Sequence, residues 1–274
     1  MLLREEYIEQ AYFFQILGER LPQNIPIQDI LVQVRDETLS TTKLPLALDY
    51  MLAELCTNGS VAPAMSQLSH YFTPFQTYLM QEAEDEKGMF DLRTAVKILQ
   101  HESEYRADNP DRPGLFLYQL ESLCHNRLQY DAGLLAISQD SFYDQDWQQW
   151  ILIVRRQIGI VDIADLIFMR SWHLIHTQNR RTTEPVLPEH PILFGEKEGK
   201  IALANSRKDP LFLFAALQRH LGYPQVPRPK PFDDSKNKLA MLQQKIDQLS
   251  VRTKLLEDES RGGIDLSQYY TAPE

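Results

Sequence analysis

Apolar positions recur at helical spacing along most of the chain, and proline, glycine or asparagine interrupts them at short intervals. Leu3, Tyr7, Ala11, Phe14 and Leu17 make the first such stripe, which stops before Pro22. Pro26 suits the first turn of a second helix with Ile27, Ile30, Leu31 and Val34 on its buried face. Thr41 and Thr42 are the expected N-cap of a third, with Pro45 in its first turn, a run through Leu55 and Gly59 as its close. Pro63 and Pro74, the latter behind Thr73 as cap, begin two more; Gly88 ends the second of these. Asp91 starts a sixth helix carrying Ala95, Ile98 and Leu99. Residues 1–106 therefore read as a six-helix bundle without strands.

The run Asp108-Asn109-Pro110-Asp111-Arg112-Pro113-Gly114 is the clearest boundary signal, so 107–230 reads as a second helical region. Helical pattern resumes over Leu115 to Tyr130, Gly133 to Ile137, Ser141 to Ile158, with Ser141 as cap, and Val161 to Thr177. Thr177 to His190 is polar and reads as a loop. Ile192-Leu193-Phe194 and Ile201-Ala202-Leu203, around Gly195 to Gly199, suggest a small β-hairpin, with helical continuation after Gly199 as the competing reading. Asp209-Pro210 opens a further helix, and Gly222 to Pro231 is a proline-rich connector. The fold class expected is all-α.

The last segment, 231–274, changes period. Leu239, Leu242, Ile246, Leu249, Thr253 and Leu256 step by 3, 4, 3, 4 and 3, as in a coiled-coil seam. Leu239, Leu242, Ile246, Leu249 and Leu256 are the expected partner-binding residues of an association helix; packing of that helix on its own domain is the alternative. A homodimer through it is one expected arrangement. The tail beyond Gly262-Gly263 reads as a flexible end.

Composition adds an asymmetry. The net charge is -10, but residues 1–110 hold 8 Lys+Arg against 17 Asp+Glu, while residues 150–230 hold 12 against 7. Acidity overall argues against a general nucleic-acid binder. Arg180, Arg181, Arg207 and Lys208, with Arg155, Arg156, Arg170 and Arg219, are the candidate anion patch if folding gathers them. Cys56 and Cys124 form neither metal spacing nor a disulfide framework and are expected as reduced, buried thiols. Apolar runs such as Leu211 to Leu217 fall short of a membrane span, and the charged start is unlike a signal peptide. A cytoplasmic location is expected.

Candidate chemistry is sparse. Gly195-Glu196-Lys197-Glu198-Gly199-Lys200 lacks the spacing and the Ser or Thr of a phosphate loop and reads as a charged turn. His173 and His176 share a helix face without a Glu that would complete a metal motif. Glu121 and His125 are i, i+4 neighbours, and His101-Glu102-Ser103-Glu104 reads as a solvated helix end. Trp147, Trp150 and Trp172 read as core rather than a base-stacking platform. No catalytic, cofactor or metal residues are assigned.

The punctuation of the first 105 residues resembles the cytoplasmic domain of the inner-membrane platform proteins of type II secretion and type IV pilus assembly. The matching positions are Phe13-Phe14-Gln15-Ile16-Leu17, Asn24-Ile25-Pro26-Ile27, Gly59-Ser60-Val61, Ala64-Met65, Phe72-Thr73-Pro74-Phe75, Ala83-Glu84, Gly88 and Leu92 to Leu99. Asn24 and Ala83 stand where that family has glycine, and the family's transmembrane helices and second copy have no counterpart. The resemblance implies a helical protein-docking module beside an assembly ATPase, without catalysis of its own, and makes Glu84 the matching acidic position. The function expected is a non-catalytic helical scaffold or adaptor with a protein partner. A metal-binding or enzymatic bundle using His173, His176 and Glu121, or an anion or nucleic-acid binder through the basic middle, is the alternative.

Overall fold

The computed structural model describes residues 2–23, 25–85, 90–180, 188 and 190–228. Among them are thirteen α-helices: α1 Arg4–Arg20, α2 Ile27–Glu37, α3 Leu44–Asn58, α4 Ala62–Gln67, α5 Pro74–Glu84, α6 Leu92–Ala107, α7 Arg112–His125, α8 Tyr130–Ser138, α9 Gln145–Gln157, α10 Ile163–Met169, α11 Trp172–Asn179, α12 Glu196–Asn205 and α13 Pro210–Leu221. No strand forms among the described residues; two isolated bridges, Ile158 to Val161 and Ser171 to Phe194, pin turns. The protein is all-α. None of these helices is long and apolar enough to cross a membrane.

Eight of the thirteen helix starts among the described residues are fixed in one of two ways. Asp91, Asp111, Asp144, Asp162 and Asp209 each accept an amide of their own first turn, and Thr73 closes a reciprocal capping box with Gln76. Helices α3 and α4 begin instead at Lys43 and Val61, which supply no side-chain cap. Their exposed amides are met by glutamates from other helices. The Glu6 carboxylate of α1 accepts from the Lys43 amide at 3.0 and 3.1 Å. The Glu84 carboxylate of α5 accepts from Val61 and Ala62 at 2.7 and 2.8 Å. Each contact places negative charge at a positive helix end and ties two helices together.

Helix α1 packs along α6, α2 on α3, and α10 on α12. One apolar cluster runs from Phe13 through Phe75, Leu99 and Phe116 to Phe214, so the core is continuous across 108–114. Trp147 and Trp150 are core, stacked edge-on to each other at 5.4 Å and both against Phe194. Trp172 is about half exposed and lies outside that cluster. Gly199 lets α12 approach α11: a Cβ there would meet the Cβ of Ser171 at 2.6 Å and of His173 at 2.7 Å.

Several sequence expectations are corrected. The hairpin around 192–203 is absent, because Gly195 caps α12 and Glu196 and Glu198 occupy its first turn. The expected helix over Val161 to Thr177 divides into α10 and α11, since Leu193 and Phe194 take the Arg170 carbonyl. The Leu115 to Tyr130 helix stops at His125, where Arg127 turns through a φ of 55°. Thr42 turns its hydroxyl to the Leu39 carbonyl instead of capping α3, and Asp144 rather than Ser141 caps α9. Cys56 is exposed and Cys124 half-buried, both as free thiols. The heptad residues Leu239, Leu242, Ile246, Leu249 and Leu256, with Asn24, Gly88 and Arg181, lie outside the described residues.

The Glu84 contact makes a prediction. Glu84→Ala leaves two amides at the start of α4 without their acceptor and lowers unfolding free energy by about 1–2 kcal/mol. The exposed Lys97→Ala control stays within about 0.5 kcal/mol in the same denaturant titration. Equal stability of the two variants would remove the cross-helix cap.

Candidate functional site

Three places stand out, two of them polar and buried and the third a largely apolar cleft. The first is a buried layer where α1, α5, α6 and α7 meet the α8–α9 turn. Ser103 donates to Gln10 at 3.0 Å, and the Gln76 amide donates to the same Gln10 oxygen at 2.9 Å. One turn away, Arg106 donates twice to Glu102 Oε1, at 3.2 and 2.9 Å, and also pairs with Asp140. Gln119 donates to Glu102 Oε1 at 2.8 Å and accepts from the Tyr143 hydroxyl at 2.8 Å. Burial works against the Arg106 charge, but the Glu102 and Asp140 carboxylates outweigh it and raise its pKa above the ordinary value. Glu102, Ser103 and Arg106 are buried, so 101–104 is no solvated helix end. Glu102 Oε2 has no hydrogen-bond partner. All of these groups are buried, and their bonds join four helices and the α8–α9 turn.

The second place is the end of α7. The Tyr223 hydroxyl donates to Glu121 Oε2 at 2.8 Å, and residues 223–228 cross back over the helix end. His125 Nδ1 lies 3.3 Å from Glu121 Oε1, yet neither ring nitrogen has a partner of hydrogen-bonding geometry. Burial, and then the Arg228 guanidinium, lowers the His125 pKa from its ordinary 6.5, so the approach is a close contact rather than an ion pair at neutral pH. Burial raises the Glu121 carboxyl above 4.5, against the Tyr223 hydroxyl and Arg228.

The third is a cleft of about 400 Å³ between α7, the turn 158–162 and the start of α13. Leu120, Ile163 and Phe214 are among its apolar lining, with Cys124, Tyr130, Asp162 and Lys208 as its polar groups. Burial raises the Cys124 thiol to about 11, so it is uncharged at neutral pH. Ile160 stands 85% exposed at the tip of the turn, which Gly159 allows at a φ of 86°. Asp162 fastens the opposite side, accepting from Ala164 at 3.0 Å and Arg207 at 2.7 Å, while Ser206 donates to Asp165 at 2.7 Å.

Residues singled out in sequence are scattered. Arg207 and Lys208 are neighbours on the loop after α12. Arg180 follows α11 at the opposite end of α12, where His176 meets Glu196 at 3.3 Å. The ten residues of α12, about 15 Å long, lie between the His176–Glu196 contact and the Arg207-Lys208 loop. Arg155 is paired with Asp131, and Arg170 reaches the Pro191 carbonyl. His173 packs beside Gly199, and no group of three His, Cys, Asp or Glu among the described residues is placed to hold a metal. Glu84 is a helix cap. The charged turn 195–200 begins α12. Sequence reading missed the cleft, whose walls come from three separated segments.

No family model, curated protein or solved structure matches this chain.

Two predictions follow from the buried groups. Arg106→Met leaves the Glu102 and Asp140 carboxylates uncompensated in the core and costs about 3–5 kcal/mol of unfolding free energy. A loss below 1 kcal/mol would contradict that role. The His125 contribution has a sign fixed by its lowered pKa: the unfolded chain protonates first, so stability declines as pH falls below the ordinary 6.5. Glu121, with its raised pKa, slopes oppositely, adding stability in acid that is lost as pH rises above 4.5. Thermal unfolding of His125→Gln between pH 5 and pH 7.5 should therefore lack an acid-side loss that the parent chain shows; identical profiles would refute it.

Proposed function

We propose that the protein is a non-catalytic helical adaptor that docks a basic protein segment on the face formed by α1, the turn 38–43 and the start of α3. The carrying observation is a set of exposed apolar side chains on a tied-down backbone. Leu39 and Leu46 are 58% and 74% exposed, and Ile8 of α1 is 45% exposed. Glu9 accepts from the Leu39 amide at 3.3 Å, and Glu6 holds the next turn through Lys43. A fixed turn presents its apolar groups without a large ordering cost on binding. Acidic side chains of the first 110 residues surround this region in sequence and favour a cationic partner.

The resemblance of residues 1–105 to the secretion and pilus platform domain supports the same reading, since docking is what that module is for. The structural use of Glu6, Glu84, Glu102 and Arg106 also supports it, since these ionisable groups hold helices to one another.

Affinity capture with the full chain, followed by mass spectrometry, tests the proposal. Leu39→Asp/Leu46→Asp should reduce recovery of a specific partner by about tenfold or more, as loss of central apolar contacts does. Phe212→Asp, exposed on α13, should leave it unchanged. Equal recovery with all three chains would sink the assignment.

A further inference from the structure

We propose that the cleft between α7, the 158–162 turn and α13 binds a single-chain amphiphile with an anionic head, its apolar tail between Leu120, Ile163 and Phe214 and its head on Lys208. The walls carry the first part of this assignment. Leu120, Phe214 and Ile163 are buried at the floor of the cleft, while Ile160 and Tyr130 of the same lining stay exposed, so an apolar floor lies beneath an open rim. A partner helix, on the order of 10 Å wide, needs an open face; a flexible hydrocarbon chain does not. The volume of about 400 Å³ lies at the lower end of small-molecule sites.

Charge carries the second part. Lys208 is the cation of the lining, and neither it nor Arg207 has an ion-pair partner among the described residues. Asp162 also lies in the lining, but both its oxygens accept backbone amides. Arg207, at a φ of 62°, turns the loop so that the Asp162 contact fixes the residue next to Lys208. In the same lining, burial raises the Cys124 thiol and the Tyr130 hydroxyl above their ordinary values, and both remain neutral at physiological pH. The Leu120, Ile163 and Phe214 side of the cleft therefore carries no charge to repel a tail, and Lys208 is the cation of the lining, beside an Asp162 carboxylate already held by two amides. The docking face of α1 to α3 uses none of these residues, so the two assignments fail separately.

Isothermal calorimetry on the full chain, below micelle-forming concentrations, compares decanoate, decanol and decylamine. Decanoate should bind tightest, by about tenfold over decanol, through its charge-assisted contact with Lys208. Lengthening octanoate to decanoate should tighten binding by about fourfold per methylene. Lys208→Met should erase the preference for decanoate, and Lys208→Glu should reverse it toward decylamine. Since Lys208 is exposed, its variants should keep the parent unfolding curve. Decanoate should also slow alkylation of Cys124 while leaving the exposed Cys56 unaffected, which locates the ligand. Equal affinity for the three heads, no binding at millimolar concentration, or an unprotected Cys124 would each overturn the site. Loss of amphiphile binding with partner capture still sensitive to Leu39→Asp/Leu46→Asp would leave the adaptor reading intact.

Discussion

Arg106 is the constraint around which the rest of the helices are registered. Its guanidinium is fully enclosed and joins Glu102, one turn earlier on α6, to Asp140 beyond α8. Two carboxylates and one guanidinium in a dry interior are costly unless every helix that supplies a partner sits correctly. Gln119 from α7 and Tyr143 before α9 complete the set, and the Phe142 ring lies 5.8 Å from the guanidinium carbon. Slippage of α6 by one residue would carry Glu102 and Arg106 out of reach together. The layer selects one arrangement among the many that interchangeable leucine stripes would allow.

The same logic of borrowed partners recurs at lower cost near the surface. Glu6 and Glu84 complete helices that lack caps of their own, and Asp162 and Asp165 fasten the loop between α12 and α13. These are contacts between elements distant in sequence, so each stiffens a junction as well as a helix end. Stiff junctions leave two surfaces preformed: the apolar turn beside α1 and the cleft beside Ile160. Their chemistry differs: acidic residues flank the first in sequence, and Lys208 is among the lining of the second.

Much of the helix inventory was readable because helix punctuation is local. Proline in a first turn, aspartate before it and glycine with positive φ after it act through one or two turns of chain; Thr73-Pro74, Asp91, Asp209-Pro210, Gly59 and Gly222 all behave that way. The failures have a common cause. Ile192 to Leu203 looks like two short β-prone runs, but Phe194 is claimed by Trp147 and Trp150, and the following glutamates start a helix. The signal at Glu102 was present and misjudged. Ala95, Ile98, Leu99, Glu102 and Arg106 continue one helical stripe, so the buried face of α6 extends into charged residues. Charge suggested solvent where spacing indicated core.

Sequence alone determined the all-α class, helix starts such as Thr73-Pro74, Asp91 and Asp209-Pro210, the acid-to-base asymmetry and the core role of Trp147 and Trp150, because periodicity, backbone stereochemistry and charge are properties of short segments. Tertiary structure decided which carboxylates are caps, which ion pairs are buried, that Arg180 and Lys208 stand apart, and that Leu120, Ile163, Phe214 and Lys208 share a cleft. Each of those facts depends on distances between residues tens of positions apart, and such distances follow from how helices pack rather than from the pattern within any one of them.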